Sequence, residues 1–170
     1  MTRHWALLLA LPVVLVWQMT PLAVLPVLGW RLDPTLVLVV AAGLVLGPPW
    51  GLAFGLLAGA GQDLLVGAGV LYTVTKALAG MTSGLLRPHL YQIDSAFVGL
   101  VGLLWTLGEE LLVAVYSWLA GRTGVWDHFA ALSLPLGLAH AVLLVGMVGI
   151  LLRLPPFAES DRAIARSPGL

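Results

Sequence analysis

Four ionisable side chains sit inside apolar runs: Asp63 in GPPWGLAFGLLAGAGQDLLVGAG, Lys76 in LYTVTKALAG, and the adjacent Glu109 and Glu110 in LLWTLGEELLVAV. Carboxylates and an ammonium in such surroundings can tie helices together, move protons or grip a charged solute. Hydrolysis asks for a fuller set of residues. A serine nucleophile turn of the form Gly-x-Ser-Gly with a later histidine would suit Ser83 and His140, but GMTSG places Met81 where that glycine belongs. A glutamate-based protease opening on Glu-Glu-x-x-x-Arg would suit EELLVA, yet Ala114 stands at the arginine position. FAALS, from Phe129, also ends in Ser133 where a histidine is expected. That reaction stays only as a remote alternative. His140 has no second histidine at metal-ligand spacing and reads as an interior hydrogen-bonded residue. No catalytic residue, metal site or cofactor is expected.

The elements that must position these charges belong to a membrane. Of 170 residues, 60% are hydrophobic and 9% charged, with a mean hydropathy of +1.02. A soluble domain carries roughly a quarter charged residues, so an integral membrane protein is expected. Net charge is zero and the basic residues are scattered, which argues against a nucleic-acid partner. Cysteine is absent, which removes disulfides and thiolate chemistry.

Six hydrophobic segments are expected, making an all-α polytopic bundle over residues 1–154 and a short cytoplasmic tail over 155–170. The first runs to about Leu28, too long for a signal peptide and bent by Pro12, Pro21 and Pro26. Asp33 as N-cap and Pro34 as first helical residue open the second, which GPPW stops near Leu46. At about 20 Å that segment is too short to span upright. The third runs from about Pro49 to Val66, the fourth from Leu71 to Leu86, the fifth from Ser95 to Leu119 and the sixth from Phe129 to Leu152.

The arginines set an orientation. A cytoplasmic N-terminus puts Arg3, Arg87, Arg153, Arg162 and Arg166 inside and only Arg31 and Arg122 outside, as the positive-inside rule prefers. Asp63, Lys76, Glu109 and Glu110 then share one layer in the outer half of the bilayer, and Gln18 climbs to the same depth. Asp63 and Lys76, on consecutive helices, form the expected ion pair, a structural tie rather than a chemical centre. One glutamate exceeds the available positive charge and is expected to be neutral and hydrogen-bonded, or to face a water-filled cleft. Gly51, Gly55 and Gly59 on the third helix, with Gly80 and Gly84 on the fourth, form small-residue faces for close packing.

The stretch RLDPTLVLVVAAGLVLGPPWGLAFGLLAGAGQDLLVGAGVLYTVTKALAG resembles the MreD family of rod-shape-determining membrane proteins. The resemblance lies in Pro34 opening a helix, in Gly47, Gly51, Gly55 and Gly59 preceding Asp63, and in a glycine turn leading to a helix with Gly80. It implies a fold similar to the substrate-binding subunits of energy-coupling-factor transporters. The implied role is a non-enzymatic scaffold of peptidoglycan elongation in the bacterial cytoplasmic membrane. The implied partners are MreC, the class B penicillin-binding transpeptidase and RodA, with MreB as a further one. Arg31, Asp33, Trp50, Arg122, Trp126 and Asp127 are candidates for a partner-contacting rim. The fold similarity also supplies an alternative, a vitamin-like solute held near Asp63, Lys76, Glu109 and Glu110.

Overall fold

The computed structural model describes residues 3–18, 24–25, 30–89 and 94–153. Its six helices are α1 (Arg3–Gln18), α2 (Pro34–Leu46), α3 (Pro48–Val66), α4 (Leu71–Leu85), α5 (Ser95–Leu119) and α6 (Val125–Arg153). The class is all-α. The expected tail, 155–170, lies outside the described residues. Among those residues two helices, α5 and α6, are long and apolar enough to cross a membrane.

α1 is described as Arg3–Gln18, and the expected continuation of the helix to Leu28 does not hold, because Val24–Leu25 pairs antiparallel with Trp30–Arg31. α6 begins at Val125 rather than Phe129: Gly124, at φ +71°, turns the chain so that its carbonyl accepts from His128 N–H at 3.2 Å. The helix continues through Pro135, which leaves the Ala131 carbonyl without its i+4 donor.

α2 is the axle of the bundle. Asp33 Oδ1 accepts from Leu36 N–H at 3.0 Å and Pro34 fits the first turn, while Gly47, at φ +98°, supplies the turn into Pro48. Every residue from Thr35 to Leu46 is buried. A helix apolar on all sides needs cover on all sides, and α1, α3, α4, α5 and α6 all contact it.

α3 and α4 run antiparallel with their backbones in contact. A methyl group added at Gly51 would lie 2.1 Å from the Gly80 carbonyl oxygen. One at Gly55 would lie 2.2 Å from that of Lys76, and one at Gly59 2.3 Å from that of Tyr72. Gly80 meets Gly51 in return, and Gly84 packs on Pro48. All five glycines expected at a packing face therefore lie in one seam, which Gly43 of α2 joins through the Gly80 carbonyl. α5 and α6 pack more loosely, side chain to backbone, with Gly99 and Gly102 against Ala141, Leu144 and Val145.

Candidate functional site

The interior charges converge where α2 begins. Lys76, on the second turn of α4, is fully buried, and its Nζ donates to Asp33 Oδ2 at 2.6 Å and to Glu109 Oε1 at 2.8 Å. The Asp33 carboxylate thus works twice, one oxygen capping α2 and the other taking the ammonium. Gln62 Nε2 donates to Asp33 Oδ2 at 3.3 Å, and the Thr35 hydroxyl donates to Asp33 Oδ1. The Thr75 hydroxyl lies 3.4 Å from Glu109 Oε1. Two carboxylates thus hold one cation, and neighbouring hydroxyls and an amide surround the trio, as buried ions require.

His140 of α6 closes the cluster. Asp33 N–H donates to its Nε2 at 2.9 Å, so that nitrogen carries no proton. A neutral ring then has its proton on Nδ1, which donates to Thr106 Oγ1 at 3.0 Å. The Thr106 hydroxyl in turn donates to the Gly102 carbonyl at 2.8 Å. This fixes one tautomer and one direction along the chain. The gap beside His140, between α2, α5 and α6, is too narrow for a water molecule.

Asp63 is not Lys76's partner. Its Oδ1 accepts from Tyr72 N–H at 3.0 Å, and its Oδ2 accepts from Thr73 N–H at 2.8 Å and the Thr73 hydroxyl at 2.6 Å. The expected pair fails because α4 opens on Val70, which has no side-chain acceptor for its first N–H groups. Asp63 fills that need from the end of α3. The end of α3 is sealed as well: Gly67, at φ +71°, donates its N–H to the Asp63 carbonyl at 2.8 Å.

The expected polar layer therefore divides. Lys76 and Glu109 meet, Asp63 serves as a cap, and Glu110 lines a separate open cleft of about 420 Å³ between α5 and α6. The Gln18 side chain lies outside the described residues. Of the expected rim, Asp33 belongs to the buried tie, and Trp50 sits on the first turn of α3, about 20 Å along that helix from Asp63. The Arg31 side chain lies outside the described residues. Arg122, Trp126 and Asp127 lie together at the exposed α5–α6 turn, where the Trp126 ring is tilted against Trp118 with centroids 6.4 Å apart. Ser83 and His140 are not brought together: both ring nitrogens of His140 are taken by Asp33 and Thr106.

Sequence reasoning missed Thr35, Gln62, Thr75, Thr106 and His140 as members of the cluster. Gln62 and Thr75 carried a signal: each is the immediate neighbour of a singled-out charge inside an apolar run.

No family model, curated protein or solved structure matches this chain.

Proposed function

We propose that the chain is a non-enzymatic, multi-pass scaffold subunit of the bacterial cytoplasmic membrane, with both termini cytoplasmic. Its place is in peptidoglycan elongation, where it holds the membrane helix of MreC, of the class B transpeptidase or of both, beside RodA, with MreB as a further partner. One observation carries the scaffold reading. Lys76 is spent between Asp33 and Glu109 and Asp63 on the first N–H groups of α4, while the outside bears large exposed apolar side chains: Leu104, Leu138, Val142 and Ile150 are 53–73% exposed. A body with its buried charge trio paired inside and apolar side chains outside suits lipid as its solvent, and there association rests on close packing between helices. The MreD-like stretch from Arg31 to Gly80 supplies the assignment to the elongation machinery.

Gentle detergent extraction of the tagged chain, followed by quantitation of what travels with it, tests the reading. MreC and the transpeptidase should co-purify in near-equal amounts. A chain that comes out alone, carrying a stoichiometric small solute, belongs to the transporter alternative instead.

A further inference from the structure

The α5–α6 cleft is unlike the buried tie in every respect. It holds about 420 Å³, within the range of small-molecule sites, and opens between the last turns of α5 and the first turn of α6. Its lining mixes charges that the tie does not use: Glu110 toward the middle of α5, Ser117 about 10 Å further along that helix, then Arg122, Thr123, His128 and Phe129 around the turn. Among the described residues the half-buried Glu110 carboxylate makes no hydrogen bond and no contact ion pair, and the His128 imidazole is the cationic group that faces it across the cleft. A half-buried carboxylate in a cleft is costly without a hydrogen-bond donor. Trp118 and Trp126 flank the same end of the helix pair, and such indoles mark headgroup depth in membrane proteins.

We propose that this cleft binds the headgroup of a zwitterionic phospholipid bearing a primary ammonium, of the phosphoethanolamine type. The ammonium meets Glu110 and the phosphate meets the neighbouring His128, while Arg122 and Thr123 line the mouth of the cleft above them. The order of charges selects the class. An anionic glycerol headgroup offers Glu110 no cation, and a quaternary ammonium offers it no hydrogen to donate. Acyl chains leave along the outer faces of the helices, where Leu111, Leu112 and Leu134 are exposed. The proposal rests on the membrane reading above, but not on which proteins the chain accompanies.

Native mass spectrometry of the full chain, released from micelles doped equally with phosphatidylethanolamine, phosphatidylglycerol and phosphatidylcholine, tests it. Phosphatidylethanolamine adducts should dominate. Glu110→Gln should cut them about tenfold, the loss of one charge-assisted hydrogen bond, and bring them to the phosphatidylcholine level. Arg122→Gln should weaken phosphatidylethanolamine and phosphatidylglycerol together. Ser117→Leu, which fills the wall without removing a charge, should reduce all adducts and serves if Glu110→Gln does not fold. Displacement by free phosphoethanolamine at millimolar concentration keeps the site and assigns it a soluble occupant, whereas persistence of the adduct assigns it to the bilayer. Equal retention of the three lipids, or an undiminished preference in Glu110→Gln, overturns the proposal. Co-purification of MreC with a chain lacking any lipid preference would remove this site and leave the scaffold standing.

Discussion

The glycine seam of α2, α3 and α4 and the α5–α6 hairpin solve the same packing problem in opposite ways. In the seam, backbone touches backbone: Gly43, Gly51 and Gly80 meet at distances where no side-chain carbon fits, and the tie of Lys76 is built into the same block. In the hairpin, side chains separate the helices, Gly108, Gly146 and Gly149 face open space, and a cleft remains between the helices near their turn. The difference teaches where each half can tolerate change. A block closed by backbone contact and the buried Lys76–Asp33 pair has few alternative packings, whereas a hairpin held by side chains, tied to that block through Glu109, keeps room for ligands and partners.

The largest effect should come from taking the cation out of the seam. Lys76→Met leaves Asp33 and Glu109 with no shared partner and should cost about 3–5 kcal/mol, read as a collapse of accumulation and of the thermal transition in detergent. Adding Asp33→Asn and Glu109→Gln should restore much of it, since the uncompensated charge goes with them. Tolerance of Lys76→Met alone would mean that the tie is not structural. Next, Gly80→Val forces a side chain into the Gly51 carbonyl and should cost about 3 kcal/mol. Gly102→Val in the hairpin places its Cβ 3.0 Å from Leu144 Cδ2 and 3.4 Å from Ala141 Cα, against 2.1 Å from the Gly51 carbonyl oxygen at Gly80, and should cost clearly less in the same melt. Third, Asp63→Ala removes the acceptor of the Tyr72 and Thr73 N–H groups and should cost about 1–2 kcal/mol. Asp63→Asn should recover part of that loss, a partial rescue that an ion pair would not allow. Smallest of all, Gly108→Ala and Gly146→Ala should leave stability unchanged or raise it by up to about 1 kcal/mol through helix propensity. A large loss at either position would place a hidden contact on the hairpin.

The elements were legible where local chemistry decides them. Asp33, Pro34 and Gly47 bracket α2, Gly67 ends α3, and the four-residue glycine period marks the seam; each signal acts within one turn of chain. Apolar sequence past Gln18 points to a longer first helix, but hydropathy alone does not tell helix from strand, and Val24–Leu25 pairs with Trp30–Arg31. The ion pair was misassigned for a different reason. Closeness in sequence favoured Asp63 for Lys76, but helix caps are settled first by the demand of unpaired N–H groups, and α4 had no cap of its own. Asp33 was read as a cap and a rim residue because nothing local reveals that its second oxygen meets a lysine 43 positions later. His140 was read rightly as a hydrogen-bonded interior residue, though its partners, Asp33 and Thr106, come from two other elements.

Spin labelling in nanodiscs tests the central claim most directly, because the chain has no cysteine and accepts single-cysteine variants without background. Labels at Leu56 of α3, Leu104 of α5 and Val142 of α6, all exposed outward, should collide with oxygen dissolved in lipid and be shielded from a water-soluble nickel complex. That result would mean one intramembrane body with its charges turned inward. Nickel quenching at Leu56, with lipid contact only at Leu104 and Val142, would contradict it and leave a two-helix anchor carrying a domain in water.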